Sequence, residues 1–294
     1  MPAHEPVLLE ETVQMLQPSR GGIFVDCTVG LGGHSRALLE GGVTRLLGLD
    51  RDADALRRAA DTLRAWADRV ELVHADYRDL EHVLDARGIA RIDGALADLG
   101  VSSMQLDAEG RGFSFRRDEP LDMRMDQSSG PTAADLLAAV DETELANVIF
   151  QYGEERFSRR IARAIVMARR AAPVTTTGRL AHIVRGAVPR RGYQRIDAAT
   201  RTFQALRIWV NRELDGLDAF LARAARRLLA GARLAVITFH SLEDRIVKHA
   251  FRALAAGEAA VRLLTRKPLV PGEAERARNA RARSAKLRVI ERLA

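Results

Sequence analysis

The chain has 294 residues, with 46 basic against 39 acidic side chains and a single cysteine. That length suits one large domain or two modest ones, and 47% hydrophobic residues are enough for a packed core. Ordinary apolar content with only 22 Gly and 9 Pro excludes disorder and collagen-like structure, and one cysteine excludes an internal disulfide framework. The N-terminal MPAHEPVLLEETVQ has neither the basic segment nor the apolar core of a secretory signal, and no apolar run is long enough to cross a bilayer. These features point to a soluble cytoplasmic protein.

The net charge of +7 conceals an asymmetry. Residues 1–150 carry 15 Arg and 27 Asp or Glu, a net of −12, whereas residues 151–294 carry 28 Arg, 3 Lys and 12 acids, a net of +19. A bias toward Arg over Lys explains which base is used, but not where the charge collects. An acidic half beside a basic half is expected of a protein that holds a small molecule in one and faces a polyanion with the other, so nucleic acid is the expected partner.

Along the chain, Ile23–Asp26 reads as a short strand, followed by the turn Gly30-Leu31-Gly32-Gly33 and a helix from His34. Arg45–Asp50 is a second strand. Asp52–Ala67 reads as a helix with Leu56, Ala59, Ala60 and Leu63 on one face. Val70–His74 is a third strand, Leu80–Arg87 a helix and Ile92–Leu99 a fourth strand, so βαβ units and a parallel sheet follow. The stretch from Ser102 to Gln127 is polar and turn-rich, and residues 132–228 are almost wholly helical in pattern. Strand character returns at Arg233–Phe239, with a helix from Leu242 and β-like pieces at Val261–Thr265 and Lys286–Ile290. The late strands can complete the early sheet if residues 1–105 and 215–294 form one α/β domain interrupted by a helical insertion, 106–214.

The most informative stretch is Asp26-Cys27-Thr28-Val29-Gly30-Leu31-Gly32-Gly33-His34-Ser35. A glycine-rich turn between strand and helix lets a ligand lie against the backbone at the carboxyl edge of a parallel sheet. Asp50 ends the second strand, where an acid can accept ribose hydroxyls. The dinucleotide fingerprint G-x-G-x-x-G fails, because its third glycine would fall at Ser35, and no Gly-Lys-Ser/Thr is present. Asp26 before the loop instead suits the aminopropyl ammonium of S-adenosylmethionine. Tyr77, after the third strand, fits either an adenine stack or a half-buried core aromatic. Asp98, at the end of the fourth strand, is where a substrate would meet a methyl group. Cys27 lies on the cofactor side of the loop, so attack by nitrogen or oxygen is favoured over the cysteine-assisted route to carbon. No His, Cys, Asp or Glu spacing suggests a metal.

These residues, with others along nearly the whole chain, resemble the bacterial 16S ribosomal RNA (cytosine-N4)-methyltransferase family. The resemblance is carried by Val7-Leu8-Leu9-Glu10, the Asp26–Ser35 loop, Asp98-Leu99-Gly100-Val101-Ser102-Ser103 with Gln105-Leu106, Arg111–Phe115, Leu121–Asp126 and Tyr152–Arg156. It continues through Ala199–Ile208, Phe239-His240-Ser241-Leu242-Glu243-Asp244-Arg245 and Arg283-Ser284-Ala285-Lys286-Leu287-Arg288. It implies a class I S-adenosylmethionine-dependent methyltransferase, a Rossmann-like parallel sheet with an inserted helical domain. It also implies that Gly32, Gly33 and His34 contact the methionine part of the cofactor and Asp50 the ribose, with Tyr77, Asp98 and Gln105 completing the pocket. The expected substrate is 16S ribosomal RNA within the small ribosomal subunit, with monomer or homodimer left open. The chain departs from the family at Asp197-Ala198 and Asn279-Ala280-Arg281, where the family has His-Pro and Asn-Pro-Arg.

The exocyclic amine of cytosine is a poor nucleophile because its lone pair is delocalised into the ring. Positioning and acceptance of its N–H bonds are therefore expected to matter more than a strong base. The target base must be splayed from its stack, with the Gln105–Phe115 loop and the His240-Ser241 turn as candidate grips. Ser241 and Asp244 equally fit a helix capping box. Met123 and Met125 read as packing. Arg156, Arg159, Arg160 and Arg163 at helical spacing, with Arg190, Arg191, Arg195 and Arg201, form the expected phosphate-binding face. Two rival readings are an NAD-linked oxidoreductase, which the failed fingerprint opposes, and a non-catalytic ribosome-assembly factor, which should have lost the cofactor residues.

Overall fold

The computed structural model describes residues 5–189, 196–257 and 260–294, apart from the side chains of Ser103 and Asp107. Two units are separately compact, one of residues 1–100 with 214–294 and one of residues 101–213. The first boundary falls five residues before the expected one, so Gln105 belongs to the second unit.

The first unit is built on seven strands: β1 (Ile23–Asp26), β2 (Arg45–Asp50), β3 (Val70–His74), β4 (Ile92–Asp98), β5 (Leu228–Thr238), β6 (Val261–Leu263) and β7 (Lys286–Arg292). Their order across the sheet is β3-β2-β1-β4-β5-β7-β6. β1 to β5 pair in parallel, and β7 runs antiparallel to both β5 and β6. Such a sheet is covered on both faces, which is why its strands read as nearly continuous apolar runs. Alternate residues supply the two cores: Val25, Leu47 and Leu49 pack with Leu84, Phe220 and Phe251, whereas Phe24 and Leu46 pack with Leu16, Leu38 and Leu63. Phe24 lies over Gly94, its register partner on β4, where an added Cβ would stand 2.3 Å from the ring.

Several boundaries differ from those expected. Asp52 is the N-cap of helix Ala53–Thr62 rather than its first residue, accepting from the Asp54 and Ala55 amides, and the chain then tightens into a 3-10 turn at Arg64–Trp66. β5 begins at Leu228, before the apolar run proper, because the buried Leu228 pairs with Ile92, and a register shift steps over the exposed residues that follow it.

The second unit contains helices Ala133–Ala139, Glu142–Gly153, Ser158–Ala171, Thr177–Ala187 and Thr200–Asn211 around one core. Its long loop is pinned from inside. Asn211 accepts from the Met125 amide at 2.7 Å and donates to the Met123 carbonyl at 2.7 Å, and both methionines are buried. At Gly112 (φ 71°) a Cβ would stand 2.5 Å from the Pro120 carbonyl, so only glycine lets the two backbones approach. Asp197, which stands where the family has histidine, accepts from the Ala199 amide and pairs with Arg185 at 2.9 Å.

Candidate active site

The carboxyl ends of β1, β2 and β4 are stitched together by the loop that follows β1. The Val29 amide donates to the Leu49 carbonyl and the Gly32 amide to the Val29 carbonyl, each at 2.8 Å. Gly30 and Gly32 take φ of 52° and 80°, and a Cβ on Gly32 would meet Leu63 at 3.2 Å. Helix Gly33–Glu40 starts directly from this turn. The Gly30 amide donates to Asp50 Oδ2 at 2.8 Å, and the Asp98 amide donates to Thr28 Oγ1 at 2.6 Å, so one short loop touches the ends of both neighbouring strands.

Three carboxyls share this edge in different states. Asp26 is buried, with Oδ2 accepting from Ser35 Oγ at 2.6 Å and Oδ1 from the Thr28 amide. It therefore props the loop from beneath, with two polar hydrogens of the loop on its oxygens, and its 1% exposure closes it to an ammonium group. Asp50 is similarly engaged, with Oδ1 accepting from the Asp52 amide, although a carboxylate retains lone pairs for ribose hydroxyls. Burial pushes both carboxyls up to about 6, against the pull of those hydrogen bonds. Asp98 goes further: burial first, then the negative charges of Asp26 and Glu243, push it well above the usual carboxylate range. Its Oδ1 is enclosed and has no hydrogen-bond partner among the described residues, while its side chain as a whole is 25% exposed. A buried, unsatisfied acceptor among like charges is a feature a cation or an N–H donor would relieve.

His34 is buried with Nε2 3.1 Å from the Val7 carbonyl and Nδ1 3.7 Å from Asp98 Oδ2. A carbonyl only accepts, so Nε2 carries a hydrogen and the ring presents Nδ1 to Asp98. Gly33 leaves no room for a side chain, since its Cβ would stand 2.4 Å from Pro6. Gly32, Gly33, His34, Asp50 and Asp98 thus gather at one edge. Tyr77 follows β3 at the outer side of the sheet, half-buried, with its ring centroid 4.7 Å from that of Phe220. Gln105, in the second unit, is buried and accepts from the Ser102 amide at 2.9 Å, closing a capping box on helix Ser103–Asp107.

Sequence reasoning passed over Thr28, Ser35 and Glu243. The two hydroxyls lie inside the glycine loop, so a polar residue flanking each glycine was the available signal. Glu243 comes to Asp98 only through the pairing of β4 with β5. It also corrects the expected cap: helix Ser241–Ala256 is capped by His240 with Glu243, not by Ser241 with Asp244. Glu243 Oε2 accepts from the Phe239 amide at 2.8 Å, while Asp244 is drawn away to Lys286 and Arg288.

A glycine loop joined to an acid-rich carboxyl edge, on a sheet whose seventh strand is reversed and slipped between the fifth and sixth, defines a class I S-adenosylmethionine-dependent methyltransferase. A family model, the MraW methylase family, matches residues 1–293. The ribosomal RNA small subunit methyltransferase H of Synechococcus elongatus is 52% identical over 292 residues, covering 99% of this chain and 95% of that protein. Its namesake in Nitrobacter hamburgensis is 51% identical, covering 99% and 91%. Among solved structures, an rRNA methylase of Streptococcus thermophilus is similar at 13% identity and a TM-score of 0.43, covering 97% of this chain and 94% of that one. The chain belongs to the MraW methylase family, and that membership removes the oxidoreductase reading. No described helix is long and apolar enough to cross a membrane.

Proposed function

We propose that the protein transfers a methyl group from S-adenosylmethionine to the exocyclic N4 amine of a decoding-centre cytosine in 16S ribosomal RNA, acting in the cytoplasm on the small ribosomal subunit. The observation that carries this reading is the enclosed Oδ1 of Asp98, without a partner among the described residues, at a sheet edge where two further carboxyls, at the ends of β1 and β2, accept from the glycine loop. The donor set suits a cofactor with a sulfonium and an ammonium, because each positive charge is offset by an acid the fold already holds.

When bound, the cofactor supplies an electrophilic methyl group. Gly32 and Gly33 let its methionine part approach the backbone, His34 and Asp98 flank it, Asp50 accepts from the ribose, and Tyr77 lies toward the adenine. Gln105 contributes through the turn it fixes in the second unit. Asp98 accepts an N–H bond of the amine, so that the nitrogen lone pair localises toward the methyl group as attack proceeds. No strong base is needed, since the methylated ammonium is acidic. The deciding test is transfer of labelled methyl to small subunits lacking the modification, with naked 16S RNA alongside and the nucleoside identified by mass spectrometry. N4-methylcytosine is the expected product, and its absence with cofactor binding intact would mean a different substrate.

A cation bound at this edge favours the ionised form of the nearby Asp26 and Asp50 carboxyls through its field, whereas the cofactor-free protein holds protons on them below about 6. Cofactor affinity should therefore rise by up to roughly 100-fold between about pH 5 and 7.5, about 10-fold for each carboxyl, with protons released on binding near pH 6. For the cofactor-free protein the sign is opposite. Carboxyls raised in the folded state favour folding on the acid side and lose that contribution as pH rises through about 6. Calorimetry in two buffers of different ionisation enthalpy checks the first point, and a pH-independent affinity with no proton release would refute it.

The arginine-lined helix of the second unit supports an RNA partner. Arg156, Arg159, Arg160 and Arg163 are exposed along helix Ser158–Ala171 and its lead-in, with Arg156 4.6 Å from the Phe157 ring centroid. Arg201 pairs with Glu155 at 3.7 Å, and Arg190, Arg191 and Arg195 lie outside the described residues. Reversing Arg159 and Arg160 to Glu should weaken RNA binding by about 10-fold or more and flatten its salt dependence by about 1 to 2 in the log–log slope. An unchanged slope would count against this face.

A further inference from the structure

Two of the longer sequence motifs, Phe239–Arg245 and Arg283–Arg288, meet away from the acid edge. Asp244 accepts from Arg288 Nε at 2.6 Å and from Lys286 Nζ at 2.9 Å. The Arg288 side chain is only 8% exposed, yet Asp244 engages it through Nε alone. Its terminal nitrogens have no hydrogen-bond partner among the described residues, and the guanidinium lines an open surface cleft whose enclosed part has room for about one water molecule. The side chain is thus held by its Nε, and its four terminal N–H donors open on the cleft, where only solvent serves them until an acceptor enters.

The rest of the lining is of the same character. Lys248 and Arg252 project from helix Ser241–Ala256, Arg266 follows β6, and among the described residues none of the three is paired with an acid. Thr265 is buried and accepts from the Val289 amide at 2.9 Å, which leaves its own hydroxyl hydrogen to donate. Phe251 closes the floor. Donors and positive charges converge, no acid is among the residues that line the cleft, and Asp244, which bonds Arg288, is already held by it and by Lys286. That is the chemistry of a phosphate site.

We infer that this cleft is a subsite for a backbone phosphate of the RNA, on the sheet unit and additional to the arginine face of the helical unit. The inference rests on the proposed reading of the substrate as RNA. Its position suits the role: β7 is two strands from β4, so Arg288 sits about 10 Å across the sheet from the strand that ends in Asp98. A strand presenting its base to Asp98 has a neighbouring phosphate to place at that range.

The test compares the full-length protein with the Lys248→Ala/Arg266→Ala variant, which leaves Arg288 and its partner in place. Methyl transfer to unmodified small subunits is followed at several salt concentrations, with cofactor affinity and thermal melting measured in parallel. The expected result is a KM for subunits raised about 10-fold, with kcat, cofactor affinity and melting unchanged, and a salt slope reduced by about 1 to 2. An unchanged KM and slope would overturn the subsite, as would a raised KM with an unaltered slope. Inorganic phosphate that binds the wild type but not the variant, while both have the same KM, would assign the cleft to a free anion and so also overturn it. Arg252→Glu, at an exposed position, carries the same expectation should the double variant melt early. If the wild type itself transfers no methyl to RNA, the proposed function fails instead, which separates the two outcomes.

Discussion

Asp98→Ala should lose methyl transfer by about 10²–10³-fold in kcat/KM while the protein still folds. The side chain is at a strand end, its backbone amide keeps its bond to Thr28 Oγ1, and removing the carboxyl deletes a group that burial and two neighbouring acids already hold at high free energy. The fold therefore loses little, and what is lost is the enclosed oxygen that, on the proposed reading, accepts from the amine and faces the cofactor's charge. Steady-state transfer of labelled methyl, with cofactor binding measured separately, locates the defect. A fall in both says that Asp98 holds the cofactor, and a fall in turnover alone says that it positions the amine. Near wild-type kcat/KM would end its assignment to the site.

The second large effect falls on stability. Asp244→Ala should cost about 3–5 kcal/mol, because it strands the buried Arg288 guanidinium and removes the acceptor that ties helix Ser241–Ala256 to β7. For a domain of this size that is a loss of roughly 6–20 °C in melting temperature. Burial opposes ionisation of Asp244, but its bonds from Arg288 and Lys286 prevail and hold the carboxyl below the usual range. The sign follows: a group with a lowered folded pKa contributes stability that is present above its unfolded pKa near 3.8 and is lost as pH falls through the folded value. Wild type and variant should thus differ most at neutral pH and converge in acid. Denaturant melts at neutral pH and near pH 3 check this, and a constant difference would rule out the ion pair as the source.

What could be read from the chain was what local pattern determines. The glycine loop, the acid at the end of each early strand and the alternation of strand with helix all depend on residues within a few positions of one another, and they appear where periodicity and turn chemistry place them. What could not be read depends on partners distant in sequence. Tyr77 packs on Phe220, 143 positions later, so no local signal separates a stacking platform from a core aromatic. The helix cap falls on His240 because Glu243 turns back to the chain and Asp244 is claimed by β7, a strand 42 residues further on. Asp26 looked open to a ligand until Ser35 and Thr28 were seen to occupy both its oxygens. Gln105 was placed by resemblance with the cofactor, and its visible work is to cap a five-residue helix.

The insertion of β7 between β5 and β6 has a consequence for how the chain acquires its structure. Among the described residues β6 pairs with no strand but β7, and the outer edge of β5 faces β7 alone. During synthesis the first four strands emerge early, the helical unit next, and the sheet must then wait with a bare edge until residue 292 has left the ribosome. Contacts between strands so far apart in sequence close slowly, and an unpaired edge is exposed to wrong partners in the meantime. The helical unit, made wholly from neighbouring segments, has no such delay. Maturation should therefore proceed in two phases, with the acid edge completed last, only after β5 has joined β4 and β7 has sealed the other side.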